Sequence, residues 1–171
     1  NSTCCIYILI SLLSLSIFTD CSHKIVIDSQ IEKNLSEELS FTGDKLKKSD
    51  LLKVKELEFK DIDLASLSGL EYCKNLERLV LQNCNLSDIN QLKHLTSLKY
   101  LNIALNPEIK DISALTNLQE LILFIASGTS IEDVTALQNN TRIERIYLNN
   151  TKAISDISPL STMQNLKVLE F

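Results

Sequence analysis

Along residues 54–171 apolar side chains return in a rhythm that is neither helical nor strictly alternating. In "LERLVLQNCNLSDINQLKHLTSLKYLNI", Leu76 to Ile103, leucines stand at 76, 79, 81, 86, 92, 95, 98 and 101. Self-comparison resolves the pattern into sets of the form L-x-x-L-x-L. They are Val54-Leu57-Phe59, Leu76-Leu79-Leu81, Leu98-Leu101-Ile103, Leu118-Leu121-Leu123, Ile143-Ile146-Leu148 and Leu166-Leu169-Phe171. Their starts are separated by 22, 22, 20, 25 and 23 residues. A second apolar set follows each of the first five: Ile62-Leu64-Leu67-Leu70, Leu86-Ile89-Leu92, Ile109-Ile112-Leu115, Ile131-Val134-Leu137 and Ile154-Ile157-Leu160. The L-x-L pair has the period of a short strand, two residues. The later spacing of three is that of a tight 3₁₀-like turn.

One unit is therefore a strand, a turn and a return segment whose apolar residues all point into one coil. A single coil cannot bury that face, whereas stacked coils share a continuous core. The predicted fold is an α/β solenoid of leucine-rich repeats, a right-handed superhelix with a parallel sheet on its concave side. About 22 residues per unit leave no room for a full return helix, so the convex side is predicted to be 3₁₀ or extended. The units run 54–75, 76–97, 98–117, 118–142 and 143–165, with a partial one at 166–171. Before them, Ile31, Leu35 and Leu39 share one helical face after Asp28 or Ser29 as N-cap. Ser49 is placed to cap a second helix, with Leu51, Leu52 and Val54 turned inward. Two short helices over 28–53 would cover the open end of the first coil.

The first residues differ in kind. "CCIYILISLLSLSIF", Cys4 to Phe18, is uncharged; it is too short to span a bilayer and fits the apolar core of an export signal. Residues 1–20 read as that signal and 21–27 as a tether. No Met opens the chain and no Lys or Arg precedes the apolar run, as expected of a fragment lacking its first residues. Phe171 falls inside a strand, so further repeats or a C-terminal cap are expected beyond it. Cys21 stands where a bacterial lipoprotein carries its lipid, although Asp20 occupies a position where a small residue is expected. Lipidation, which would anchor the chain to a membrane, and an ordinary cleavage junction both remain open.

Composition narrows the function. A net charge of −5 argues against a nucleic-acid partner, which needs a basic face. The lysines at 45, 47, 48, 53 and 55 alternate with apolar residues and read as a solvated helix face. Cys73 and Cys84 occupy apolar positions of the repeat, as buried thiols or as a disulfide. No CxxC, G-x-S-x-G, P-loop or H-E-x-x-H occurs, and His23 and His94 have no nucleophile motif beside them. No enzyme, metal or cofactor is expected.

Two columns recur once per coil. Three residues past the L-x-L pair stand Ile62, Cys84, Asn106, an irregular stretch, then Thr151. Asn106 is expected to be buried and bonded to backbone between coils, with Cys84 a substitute in the same structural column. Asp88, Asp111, Asp133 and Asp156 recur at the entry to each turn. They read as caps for its free N–H groups rather than as a cation ladder.

The junction "KKSDLLKVKELEFKDIDLASLSGLEYCKNLERLVL" and the recurring "SDINQLKHLTSLKYL", "KDISALTNLQEL" and "SDISPLSTMQNLKVL" resemble the internalin-like bacterial surface proteins, over roughly residues 25–171. The resemblance implies a non-enzymatic module of an exported or surface-anchored protein, binding a host or envelope protein through its concave strands. It carries over no particular receptor. The Asn column is eroded, the third unit is shortened, and "FIASGTS" inserts residues in the fourth.

The concave positions read Glu56, Glu58, Lys60; Arg78, Val80, Gln82; Tyr100, Asn102, Ala104; Glu120, Ile122, Phe124; Arg145, Tyr147, Asn149; then Val168 and Glu170. Arg78, Val80, Tyr100, Asn102, Glu120, Ile122, Phe124, Arg145 and Tyr147 form the candidate contact set, an apolar strip flanked by charge. The competing reading is that β-branched and aromatic residues simply suit strands. On the contact reading, replacing Tyr147 and Phe124 by Ala is expected to leave folding cooperative while weakening partner binding. A different function class also fits the repeat length: an intracellular scaffold similar to the 22-residue-repeat regulators of protein phosphatases.

Overall fold

A computed structural model describes residues 27–43, 46–151 and 154–171. The predicted export signal, Cys21 and all of the tether but Ile27 lie outside the described residues. Helix α1, Ser29–Glu38, starts at Asp28, whose carboxylate accepts from the N–H groups of Gln30 and Ile31 and leaves Ile31 and Leu35 buried. The second helix, α2, spans only Lys48–Leu51. Ser49 lies inside it instead of capping it: Asp50 turns back to accept from the Lys47 N–H at 3.1 Å, and Leu52 ends up exposed. Among the described residues no helix is long and apolar enough to cross a membrane.

Among the described residues six strands follow: β1 Glu56–Lys60, β2 Arg78–Gln82, β3 Tyr100–Asn102, β4 Leu123–Ile125, β5 Arg145–Tyr147 and β6 Val168–Glu170. Each pairs in parallel with the next in a single sheet of order β1-β2-β3-β4-β5-β6. Every return segment carries one 3₁₀ turn, at Leu70–Tyr72, Asn90–His94, Ser113–Leu115, Thr135–Leu137 and Ser158–Thr162. The chain is thus a leucine-rich repeat solenoid, and its inward residues form one core cluster running from Ile31 to Met163.

The strand register corrects the reading of the fourth coil. Tyr100 pairs with Leu123, Leu101 with Phe124 and Asn102 with Ile125. The inward set of that coil is Leu121-Phe124-Ala126, each 0% exposed, in place of Leu118-Leu121-Leu123. Coil starts fall at Val54, Leu76, Leu98, Leu121, Ile143 and Leu166, separated by 22, 22, 23, 22 and 23 residues. Nothing is shortened or inserted, and the boundary expected at 117/118 moves to 120/121. Leu118 belongs to the preceding turn, in the column of Cys73, Leu95, Asn140 and Met163. A leucine three residues too early imitates the start of the motif.

Within three residues past each of the first five strands, one residue of a recurring column adopts a left-handed backbone: Asp61, Asn83, Leu105, Gly128 and Asn150, with φ of 54, 52, 60, 71 and 56°. The amide of each of the first four donates to a carbonyl of the next coil. Asp, Asn and Gly visit this region readily, whereas a Leu pays about 1–2 kcal/mol there. Leu105 also leaves its side chain 49% exposed. Its Cδ2 rests where a Cβ on Gly128 would come within 3.1 Å. Leu105→Asn is therefore expected to raise stability by about 1 kcal/mol and the thermal midpoint by about 2–4 °C, read by calorimetry.

Candidate functional site

Alternate residues of each strand point away from the core, and the register aligns them in rows across the sheet. The first row is Glu56, Arg78, Tyr100, Leu123, Arg145, Val168; the second is Glu58, Val80, Asn102, Ile125, Tyr147, Glu170. A shorter third row begins Lys60, Gln82 and continues through Ala104, Ser127 and Asn149. The middle of this face is apolar or aromatic: Tyr100, Leu123, Ile125 and Tyr147 are all half-buried.

Six members of the expected contact set stand on this face: Arg78, Val80, Tyr100, Asn102, Arg145 and Tyr147. The neighbours of Val80 leave it only 1% exposed, and Asn102 is 8% exposed with its Oδ1 accepting from the Ala104 N–H at 2.9 Å. Three members do not belong there. Phe124 is 0% exposed and packs in the core opposite Leu101 and Ile146. Ile122 precedes β4 and sits between Lys99 and Glu144 in the column along the strand entries, its amide donating to the Lys99 carbonyl. Glu120 lies further back and pairs with Arg142. One cause accounts for all three, the false motif start at Leu118. Leu123 and Ile125 take their places on the face; the signal that finds them is the 22- or 23-residue period itself, which only this frame keeps.

Charge on the first two strands of the face gathers around Glu58. Glu58 accepts from Lys60 Nζ at 2.7 Å and from Arg78 at 3.1 Å, and these two cations hold its carboxyl below the usual range. Arg78 also lies 4.8 Å from the centre of the Tyr100 ring, so its guanidinium is shared between a carboxylate and an aromatic face. Along the strand entries Glu77 bridges Lys99 at 2.6 Å and Lys55 at 2.9 Å, joining three coils.

The structural columns lie behind this face. Asn106 is 0% exposed; its Oδ1 accepts from the N–H groups of Cys84 and Leu86 at 3.0 and 3.1 Å. Its Nδ2 donates to the carbonyls of Leu81, Ile103 and Ala104. All its polar atoms are thus satisfied across two coils, where an unpaired amide would cost about 1–3 kcal/mol. The register places Thr129 in the same column, donating its hydroxyl to the Ala126 carbonyl at 2.7 Å. Cys84 Sγ lies 3.4 Å from the carbonyls of Phe59 and Gln82. Asn140 has no counterpart among the sequence-based expectations: fully buried among apolar column-mates, it donates to the carbonyls of Leu115 and Leu118 in the preceding coil.

Cys73 and Cys84 are free and buried, and burial pushes their thiols up to about 12 and about 11. Neither supplies a thiolate near neutrality. Asp88, Asp111, Asp133 and Asp156 accept from the N–H two residues onward, at Asn90, Ser113, Thr135 and Ser158, over 2.7–2.8 Å.

Residues 74–117 match a family of leucine-rich repeats in two copies. An internalin (InlF) crystal structure from Listeria monocytogenes superposes with a TM-score of 0.77 at 32% identity, over 83% of this chain and 42% of that one. This chain therefore spans less than half of that internalin. A second internalin of the same organism, C2, matches at 18% identity with a TM-score of 0.43, over 84% of this chain and 86% of that one. A chain of the Drosophila Toll–Spatzle complex matches at 18% identity and a TM-score of 0.54, over 62% and 15% of the two chains, a likeness of fold. No curated protein sequence matches this chain.

These contacts set two expectations. Phe124→Ala is expected to cost about 3–5 kcal/mol, the penalty of a large cavity in a core, read as a lower denaturant midpoint. The double replacement of Tyr147 and Phe124 therefore tests folding and not binding. Glu77 titrates in the folded chain at about 2, below its ordinary 4.5, because Lys99 and then Lys55 bond its carboxylate. Its contribution is thus complete above about pH 4.5 and vanishes as pH falls toward about 2. Glu77→Gln is expected to flatten that part of the profile of thermal midpoint against pH, and an unchanged acid slope would count against the bridge.

Proposed function

Because the chain is an internalin-like leucine-rich repeat protein, we propose that it binds a partner protein through the outward, concave face of its sheet. The observation that carries this reading is the contiguous set Tyr100, Leu123, Ile125 and Tyr147. These four side chains, on three successive strands, keep apolar surface in contact with water where most of the face's other positions are charged or polar. Adjacent strands stand about 4.8 Å apart, so the set forms one patch instead of scattered residues. Aromatic side chains beside arginine are what the centres of protein interfaces favour. The rigid backbone beneath them loses little freedom on association.

We place this activity outside the cytoplasm, with residues 1–20 as export signal and Cys21 as lipid attachment point. The match to bacterial internalins supports this over an intracellular scaffold. Fatty-acid labelling and membrane fractionation of the wild-type chain and Cys21→Ala decide it: a labelled protein that loses both properties on substitution is expected. A soluble wild-type chain would remove the anchor.

Binding is tested with a photo-crosslinking side chain at position 125, exposed to host-surface and envelope extracts, and with the same group at Lys93 on the return side. One species crosslinked from 125 and not from 93 is expected. Combining Ile125→Asp with Tyr147→Ala should weaken its affinity by at least about tenfold while the chain, somewhat destabilised by the lost cross-strand packing, still unfolds cooperatively well above the assay temperature. Undiminished affinity in this variant would retire the face.

A further inference from the structure

The chain has three arginines, and the structure treats them differently. Arg142 pairs with Glu120 and Arg78 with Glu58, each across neighbouring coils, and Arg78 stacks on Tyr100 as well. Arg145 has no carboxylate within ion-pair distance among the described residues, although Glu144 beside it pairs with Lys167. It is exposed, and its neighbours in the row are apolar on both sides, Leu123 before it and Val168 after it. Tyr147 and Ile125 lie in the adjoining row. The one guanidinium among the described residues with no partner of its own thus projects from the edge of the apolar patch.

From this juxtaposition we propose that the partner carries a carboxylate that pairs with Arg145, adjacent to an apolar side chain seated on Leu123, Ile125 and Tyr147. This rests on the binding face proposed above and adds the chemistry of what it receives. A planar guanidinium presents parallel N–H donors that suit a carboxylate in two-point contact. Flanking apolar groups, once covered, exclude water from that contact and strengthen it. Arg78 cannot do the same, because binding a new carboxylate there means giving up Glu58. The lysines bordering the patch are committed too: Lys99 to Glu77, and Lys167 to Glu144. Attraction on this part of the face is therefore directed at one point, and it selects the sign of charge that the partner brings there.

A library of displayed random linear peptides, selected on the purified chain, tests this whatever the natural partner is. The enriched peptides should share an Asp or Glu close to an aromatic or aliphatic residue. Their affinity should fall at least about tenfold on Arg145→Glu and recover when the peptide's acidic residue is changed to Lys, a reciprocal exchange that misfolding cannot produce. Peptides that lose binding on Ile125→Asp but show no acidic preference and no loss on Arg145→Glu would overturn the role of Arg145 and leave the binding face standing. Peptides indifferent to both substitutions, or no enrichment at all, would overturn both.

Discussion

The structure depends on the pairing of each coil with the next. No coil holds an independent core: Leu79, Leu101, Phe124 and Ile146 are each fully buried because the neighbouring coils close over them. Parallel strand register is what brings them into line, and the backbone bonds of β1 to β6 hold that register. Side chains reinforce it from several directions. Asn106 ties backbone groups of the second and third coils together, Asn140 ties the fourth to its predecessor, and Glu77 joins the first three along their edge. Stability in such an array is a sum of nearest-neighbour contributions. A weakness in one coil is therefore felt chiefly at its two interfaces.

The same pairing turns short sequence motifs into a surface. Residues 22 or 23 positions apart become neighbours about 4.8 Å apart, so Tyr100, Leu123 and Arg145 stand side by side although 45 residues separate the first from the last. The face has two chemically distinct regions. Toward β1 the charges satisfy one another, Glu58 with Lys60 and Arg78. Toward β5 apolar surface and one guanidinium remain available. The first arrangement adds order to the scaffold, and the second offers a partner something it can improve on.

Most of the fold was legible because the repeat states it several times over, and an error in one coil could not hide the architecture. The face was less legible because it depends on the phase of each strand, and a slip there exchanges inside for outside. In the fourth coil Leu118, Leu121 and Leu123 satisfy the motif by residue type, while the true inward residues Phe124 and Ala126 do not look like leucines. Burial accepts any apolar side chain of suitable volume, so identity is a weaker guide than period. Asn140 escaped for a related reason: an amide in an apolar column is explained only by the carbonyls of Leu115 and Leu118 that it meets, and these lie in another coil. Export and lipidation rest on residues outside the described part of the chain.

The near-constant separation of 22 or 23 residues between strands has a consequence for descent. Duplicating or deleting one whole coil keeps the strand period, so the inward columns and the parallel backbone ladder continue across the new junction even where a tie such as that of Asn106 is lost. Length can thus vary across generations in units of a single turn without passing through unfoldable ancestors. Each event widens or narrows the sheet by one strand, about 4.8 Å, and shifts what can be grasped with no new side chain having to arise.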